Sequence, residues 1–147
     1  MTDIHKLLSK MTLEEKIGQL VQLGTNVFLE SQDQITGPLY KLGLTQDDLN
    51  RTGNVIGCWK MLEIQKKHLE NDPNKIPLLF MLDVVHGFRT VYPIPLALGC
   101  SFNSELVADC SRMAAKEAAS AGVHVTFAPM VDYVRDSRWG RVLETFG

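Results

Sequence analysis

The stretch PLLFMLDVVHG, residues 77–87, decides how the rest of the chain is interpreted. A run of five apolar residues, 78–82, follows a proline, and a carboxylate and a His-Gly pair follow the run. A continuous apolar run with such boundaries predicts a strand buried on both faces, as in a parallel sheet. Asp83 then lies where the strand leaves the core, the end at which parallel α/β folds carry their ligand sites. Asp83 is therefore a candidate binding residue, and a capping role in the next turn is the alternative.

Apolar periodicity predicts helices and further strands on both sides of this strand. The first helix begins with a capping box, in which Thr12 and Glu15 satisfy each other's backbone N–H groups. Asn103 or Ser101 could cap the last helix, and Gly122 is suited to end it. The predicted helices cover residues 12–22, 59–70 and 103–121, and a short helical turn begins at residue 45. The predicted strands cover residues 54–58, 77–82 and 124–130. Two long loops are predicted, over residues 23–44 with a short helix near residue 39, and over residues 86–103.

Alternation of strands and helices indicates parallel pairing with right-handed crossovers, in one domain without an internal boundary. Two architectures fit: a doubly wound sheet, and the N-terminal portion of a (β/α)8 TIM-type barrel with three parallel β/α units. A complete barrel takes roughly 250 residues, and three strands alone would leave unpaired edges. We therefore expect residues 1–147 to be the N-terminal segment of a larger fold.

The composition excludes several classes of protein. The 147 residues are 45% hydrophobic and 22% charged, and the formal net charge is −2. Neither nucleic acid nor an anionic membrane is therefore expected as the main partner. No apolar run approaches the roughly 18 residues of a membrane span. Residues 1–10 lack the pattern of a secretory signal, which favours a cytoplasmic protein, although a signal removed by processing would leave no trace. A homodimer is compatible with these data.

The cysteines and histidines do not form a recognisable metal pattern. Cys58, Cys100 and Cys110 have no C-x-x-C spacing and are expected to be buried free thiols. The four histidines lack ligand spacing such as H-E-x-x-H. The sequence therefore predicts neither a metal nor a cofactor.

The segment VRDSRWGRVLE, residues 134–144, carries three arginines, two acids and a tryptophan just beyond the last strand. Arg135, Asp136 and Arg138 could form salt bridges that hold the loop. Alternatively, one arginine could direct its planar donor groups at ligand oxygens. Trp139 could provide an apolar surface for a sugar, or pack against the protein.

Two further residues have open roles. His86 could act as a base, or its ring could be satisfied by backbone groups in the turn. Phe127, at the end of the last strand, could form a wall of the site or belong only to the core.

Four ordered segments carry a resemblance to the N-terminal part of glycoside hydrolase family 3, and the nearer likeness is to bacterial β-glucosidases. Residues 11–20 also resemble the family's entry helix. The chain departs from the family pattern at Ser137, where proline is usual, which concerns loop stiffness more than chemistry. The four segments are residues 77–87, 92–99 (YPIPLALG), 127–132 (FAPMVD) and 135–141 (RDSRWGR).

The resemblance implies a retaining, exo-acting β-glucosidase that hydrolyses terminal non-reducing β-D-glucosyl residues of oligosaccharides or aryl β-glucosides. Asp83 and Arg141 would bind hydroxyls of the terminal sugar, with Phe127 beside them. In the family the nucleophile is an aspartate late in the barrel, and the acid/base is a glutamate of a following α/β-sandwich domain. No catalytic residue is therefore expected within residues 1–147, and the chain alone is expected to be inactive.

The chemistry of retaining hydrolysis agrees with this division of roles, because it requires two carboxyl groups roughly 5 Å apart. Asp132, Asp136 and Glu144 are further carboxylates of the chain. Nearby arginines favour the ionised forms of Asp136 and Glu144, which suits a structural role better than proton donation.

Other functions remain as alternatives. A non-catalytic carbohydrate-binding or regulatory module would keep Asp83 and Arg141 but lack a later nucleophile. A family 3 β-xylosidase would share the same residues. A nucleotide-binding doubly wound domain is disfavoured, because no glycine-rich loop follows the first predicted strand.

Overall fold

The computed structural model describes residues 3–28 and 39–147, which form an α/β fold. Four strands form one sheet in the order β1-β2-β3-β4, and β1 to β3 pair in parallel. The chain divides into two compact units, residues 1–81 and 82–147, and the division falls inside β3. Because no linker separates the two units, the sequence showed no sign of a boundary between them.

The first unit contains three of the strands and five of the helices. Its elements are α1 (Ile4–Lys10), α2 (Leu13–Gly18), β1 (Gln22–Gly24), α3 (Thr25–Phe28), a 3₁₀ turn (Leu39–Leu42), α4 (Gln46–Arg51), β2 (Asn54–Ile56), α5 (Met61–Asn71) and β3 (Leu79–Leu82), whose last residue begins the second unit.

The core of the first unit is built around the middle strand, β2. Val55 is fully buried and lies between Leu23 of β1 and Phe80 of β3 in the parallel register. Ile64 of α5 packs into the same apolar cluster. The Gln65 side chain of α5 accepts from the Leu78 N–H at 2.9 Å and donates to the Leu78 carbonyl at 3.2 Å. The helix is thereby fixed to the residue that precedes β3.

Among the described residues of the first unit, three polar side chains are buried, and each is bonded to backbone. The Thr52 hydroxyl donates to the Asp48 carbonyl at 3.0 Å. The Asp72 carboxylate, 1% exposed, accepts from the Ile76 N–H at 2.7 Å. His68, 4% exposed, lies with Nε2 3.0 Å from the Ile76 carbonyl oxygen. Within the described residues, its Nδ1 has no hydrogen-bond partner.

The second unit begins at the end of β3 and contains α6 (Pro95–Cys100), α7 (Ser104–Ser120), β4 (Val125–Thr126) and a second 3₁₀ turn (Val142–Glu144). The Asn103 side chain caps α7 by accepting from the Leu106 N–H at 3.0 Å. At the other end, Gly122 has φ +96° and the Val123 N–H donates to the Ala118 carbonyl at 3.1 Å. This is a Schellman ending, in which a left-handed glycine stops the helix.

The loop that follows β3 is held by α7. Glu117 accepts from the N–H groups of Arg89 and Thr90 at 2.9 and 2.8 Å, and from the Thr90 hydroxyl at 3.0 Å. These hydrogen bonds lower the pKa of Glu117, the Thr90 N–H contributing most. One carboxylate therefore fixes two consecutive backbone amides of the loop.

The second 3₁₀ turn packs against α6. A Cβ added at Gly99 would lie 2.2 Å from the Phe146 carbonyl oxygen, so only glycine allows this approach. Thr145 is fully buried, and its hydroxyl donates to the Val142 carbonyl at 2.9 Å. The backbone that carries Arg141 and Glu144 is thereby anchored.

Several predicted elements are confirmed. The strand after residue 77 ends at Leu82, and the capping box of Thr12 and Glu15 is present. A second capping box, of Thr45 and Asp48, opens the predicted short turn, and a 3₁₀ turn begins at residue 39.

Other boundaries were wrong. The helix predicted over 12–22 ends at Gly18, and the predicted loop 23–44 contains most of β1 and all of α3, while its residues 29–38 lie outside the described part of the chain. Three parallel units were expected, but the sheet has four strands. The loop predicted over 86–103 contains α6. Pro95 occupies the first turn of this helix, where the backbone N–H that proline lacks would have no partner within the helix. The helix predicted from residue 59 begins at Met61, and the strand predicted over 124–130 covers only Val125–Thr126.

The prediction of three buried thiols was wrong for two of them. Cys110 is buried on α7, whereas Cys58 and Cys100 are exposed. Cys58 follows the short strand β2, and Cys100 is the last residue of the short helix α6. At the ends of such elements a side chain need not point into the core.

Candidate functional site

Asp83 follows the last residue of β3, as the sequence predicted. Its side chain is exposed, although it lies between Leu82, which packs against the core of the second unit, and the buried Val84. Among residues 3–28 and 39–147, no donor is hydrogen-bonded to its carboxylate. Asp83 therefore presents an ionisable acceptor to solvent from a fixed backbone.

Phe127 lies beside Asp83 because β4 runs next to the end of β3. The Phe127 N–H donates to the Leu82 carbonyl at 3.2 Å, and the Thr126 hydroxyl accepts from the Val84 N–H at 3.2 Å. These two bonds flank Asp83 in the chain. The Phe127 side chain is 42% exposed, so it belongs to the surface beside Asp83 and not to the buried core.

His86 is bound to the turn that follows Asp83. Its Nδ1 lies 3.2 Å from the Tyr92 carbonyl oxygen, and its own carbonyl accepts from the Tyr92 N–H at 2.8 Å. Gly87 has φ +122°, and a Cβ there would lie 2.0 Å from the Thr90 oxygen. The geometry favours the second reading of His86, a ring satisfied by backbone.

Arg141, the second predicted binding residue, is paired with Glu144. Its Nε lies 3.0 Å from Oε1 and 3.1 Å from Oε2 of Glu144, and its Nη2 lies 2.6 Å from Oε2. The Nη2 also contacts Met130 Sδ at 3.7 Å. One edge of the guanidinium is therefore bound to Glu144.

Electrostatics connect Arg141 to Asp83. The pKa of Arg141 is raised, first by the hydrogen bond to Glu144 and its charge, and further by the charges of Asp83 and Asp132. The hydrogen bond from Arg141 lowers the pKa of Glu144. The charge of Asp83 therefore acts on Arg141, and both residues belong to the second unit.

The other two arginines of the terminal segment have separate partners. Arg138 forms a two-pronged pair with Asp136, with Nε to Oδ1 at 2.9 Å and Nη2 to Oδ2 at 2.5 Å. This pair lowers the pKa of Asp136. Arg135 donates from Nε to the Tyr133 hydroxyl at 2.7 Å and lies 5.0 Å from the centre of that ring. The loop is therefore held by local pairs, and Trp139 is 39% exposed beside them.

Sequence reasoning missed Tyr133 and Glu117. The partner of Arg135 is only two residues away, so an aromatic residue near an arginine could have signalled it. Glu117 lies 27 residues from Thr90, and no sequence spacing identifies such a contact.

A cavity of about 410 Å³ lies in the second unit, between the end of β3, β4 and α7. Its walls are mainly small apolar residues, including Val84, Ala114, Ala118 and Val123. Asp83, Phe127 and Arg141 are not among the described residues that line it. The candidate site is therefore the open surface at the strand ends.

Within the described ranges, no group of three or more His, Cys, Asp or Glu side chains is placed to hold a metal ion. A search of the same ranges found no helix with the length and apolar character needed to cross a bilayer.

Comparison with known proteins identifies the family. The glycosyl hydrolase family 3 N terminal domain matches residues 12–147. The chain belongs to glycosyl hydrolase family 3. This confirms the resemblance carried by the four sequence segments, and with it the interpretation of the α/β fold as part of a TIM-type barrel.

Relatives of this family 3 chain include β-glucosidases. It is 40% identical over 151 residues to the periplasmic beta-glucosidase of Salmonella typhimurium, covering 98% of this chain and 18% of that protein. It is 46% identical to the beta-glucosidase of Listeria innocua in complex with glucose, with a TM-score of 0.90 and coverage of 98% of this chain and 21% of the other. A mutant of the Listeria enzyme in complex with laminaribiose is 42% identical, with a TM-score of 0.89, over 99% of this chain and 21% of the other. The family 3 chain thus spans about a fifth of the length of these relatives.

Proposed function

We propose that the family 3 chain supplies part of the glycone-binding site of a retaining, exo-acting β-glucosidase. In this proposal Asp83 and Arg141 bind hydroxyls of the terminal β-D-glucosyl residue, and Phe127 forms the adjacent apolar wall. The observation that carries the proposal is the Asp83 carboxylate, exposed at the end of β3 without a described hydrogen-bond donor and in the field of Arg141.

The chemistry of the two side chains suits a sugar. A carboxylate accepts hydrogen bonds from hydroxyl groups, and a guanidinium donates to hydroxyl oxygens from a fixed plane. Such bonds can strengthen as the sugar approaches an oxocarbenium-like transition state, so they assist catalysis without forming or breaking a bond. The apolar ring of Phe127 fits the C–H surface that remains on the same sugar.

The remaining carboxylates favour binding over bond cleavage for this segment. Asp136 and Glu144 are each bound to an arginine, which keeps them ionised and unsuited to proton donation. We therefore assign the nucleophile and the acid/base to parts of the enzyme other than residues 1–147, in a later barrel strand and a second α/β-sandwich domain.

The test is the activity of the protein expressed from its complete reading frame on a panel of 4-nitrophenyl β-glycosides. Highest kcat/KM on the β-glucoside, with retained stereochemistry of the first product, supports the proposal. A preference for the β-xyloside would make the protein a β-xylosidase instead. Binding of glucose with no hydrolysis of any β-glycoside would support the non-catalytic carbohydrate-binding module.

The proposal also covers the substrate class, the cellular location and the oligomeric state of the protein. Oligosaccharides and aryl β-glucosides are the expected substrates. A cytoplasmic location is part of the proposal, and cell fractionation distinguishes it from the periplasmic location named for the Salmonella relative. A homodimer is tested by light scattering of the purified protein.

A further inference from the structure

The Arg141 guanidinium is bound to Glu144 along one edge, and its Nη2 also contacts Met130 Sδ at 3.7 Å. Its Nε and Nη2 contact the Glu144 carboxylate at 2.6–3.1 Å. Among the described residues, none accepts a hydrogen bond from Nη1. Because arginine has five N–H donors in a rigid plane, the edge that Glu144 binds determines where the remaining donors point.

Glu144 is the better anchored member of the pair. Its side chain is 27% exposed, whereas that of Arg141 is 56% exposed. Its N–H donates to the Arg141 carbonyl at 3.0 Å, inside the 3₁₀ turn that packs against α6. The close approach of Gly99 to Phe146 holds the end of this turn. The carboxylate thus provides a fixed support for a longer, more mobile side chain.

The charges of two further carboxylates, Asp83 and Asp132, also favour the charged form of Arg141 and so raise its pKa. Among the described residues, the carboxylate that is hydrogen-bonded to the guanidinium is that of Glu144. Glu144 therefore fixes the orientation of the guanidinium plane.

We infer that Glu144 is a positioning residue of the glycone site, which holds Arg141 by its Nε edge and so sets the direction of the remaining N–H donors. The inference rests on the proposed function, since it assigns the free donors of Arg141 and the free oxygens of Asp83 to one sugar. Stability alone does not account for the pair, because exposed ion pairs of this kind contribute little.

The test uses the protein from its complete reading frame, with Glu144→Gln, Arg141→Ala and the double variant. Glu144→Gln keeps the size of the side chain but removes the charge and one acceptor. We expect it to lower kcat/KM for 4-nitrophenyl β-glucoside about tenfold, within the range of coupling between contacting residues. We also expect weaker inhibition by glucose and an unchanged melting temperature.

The double variant separates positioning from independent action. In the Arg141→Ala background, Glu144→Gln should cause no further loss, because the glutamate acts only through the arginine. Glu63→Gln is the matched control, since Glu63 forms an exposed i, i+3 pair with Lys60 at 3.1 Å on α5. That control should leave kcat/KM unchanged.

The outcomes distinguish this inference from the proposed function. Full activity of Glu144→Gln, together with a loss in Arg141→Ala, overturns the positioning role and leaves the glycone site intact. Additive losses in the double variant, or a lowered melting temperature that accounts for the loss, overturn it as well. No effect of Arg141→Ala, or no glycosidase activity of the unaltered protein, overturns the proposed function itself.

Discussion

Asp72 and Asp83 are eleven residues apart, one in each compact unit, and their surroundings differ. Asp72 is 1% exposed and accepts a hydrogen bond from the Ile76 N–H. Asp83 is exposed and has no hydrogen-bond donor among the described residues. A buried carboxylate bonded to backbone holds a turn, whereas an exposed and unsatisfied one is available to a ligand. The same residue type therefore has a structural role in one unit and a proposed binding role in the other.

The two units repeat this difference with other side chains. Buried polar groups of the first unit, such as Thr52 and His68, contact backbone carbonyl groups. Charged groups of the terminal segment in the second unit, such as Arg138 and Arg141, pair with other side chains at the surface. A surface side chain that is paired with another side chain can exchange that partner for a ligand without leaving a buried polar group unsatisfied.

The largest expected effect is that of Asp83→Ala on activity. We expect kcat/KM for an aryl β-glucoside to fall by about 100-fold, as for the loss of a charged hydrogen bond to substrate. Because Asp83 is exposed, the melting temperature should not change. The measurement is steady-state kinetics of the protein from its complete reading frame.

Asp109→Ala is the control for this change. Asp109 is an exposed carboxylate of α7 that pairs with Arg112. It should retain full activity. An unchanged kcat/KM in Asp83→Ala would remove Asp83 from the proposed site.

Asp72→Ala should show the opposite pattern. The change leaves the buried Ile76 N–H without its acceptor, which costs about 2 kcal/mol of unfolding free energy. Asp72→Asn retains an acceptor oxygen and should lose less. Urea unfolding measures the stability, and kinetics on the folded fraction should show an unchanged KM. A raised KM with normal stability would contradict the structural role of Asp72.

His68 should make stability depend on pH. Burial lowers its pKa from the ordinary 6.5, and the hydrogen bond with Ile76 opposes this only in part. Below about pH 6.5 the unfolded chain binds a proton that the folded state does not. The free energy of unfolding therefore decreases as the pH is lowered, by at most about 1.4 kcal/mol per pH unit. Since the carbonyl of Ile76 can only accept, the neutral ring donates from Nε2.

The comparison of the unaltered protein with His68→Gln, unfolded in urea between pH 5 and 7.5, measures this slope. The variant should be less stable at pH 7.5 but lose less stability on acidification. His5→Gln, at an exposed position of α1, is the control for removing a histidine. Equal slopes in all three proteins would contradict the assignment.

The smallest effect is expected at the start of α7. Asn103→Ala removes the acceptor of the Leu106 N–H and should lower the unfolding free energy by about 1 kcal/mol. Asn103→Asp keeps the cap and should be near neutral. The activity should not change in either variant, since the cap supports the second unit and not the sugar surface. A loss larger than that of Asp72→Ala would reverse the order proposed for the two units.

Patterns that depend on neighbouring residues were predictable. The apolar run before Asp83 identified β3 and its end, and Thr12 and Asn103 identified two helix starts. β1 was missed because Gln22–Gly24 contains one apolar residue and the first predicted helix ran into it, whereas the equally short β2 carries the adjacent apolar residues Val55 and Ile56. α6 was missed because prolines on both sides of Ile94 suggested a loop, although one of them opens the helix.

Contacts between residues that are distant in the sequence limited how much of the candidate site could be predicted. The sequence placed Asp83 and Arg141 in one site only through the family resemblance, because the two residues are 58 positions apart and no spacing rule spans them. The pairing of Arg141 with Glu144 follows a local i, i+3 spacing and was open to prediction. The choice of Arg141 among the three arginines came from the resemblance as well, since all three have a possible local partner.

The contact of Glu117 with residues 89 and 90 has a consequence for redesign. The carboxylate binds two main-chain amides and one hydroxyl, so most of the contact does not depend on which side chains the segment carries. The two exposed positions 89 and 90 could therefore carry other side chains, provided that neither becomes proline. Variation at these two positions should be tolerated as long as residue 117 stays glutamate, so a single position on α7 determines whether the loop after β3 can accept new side chains.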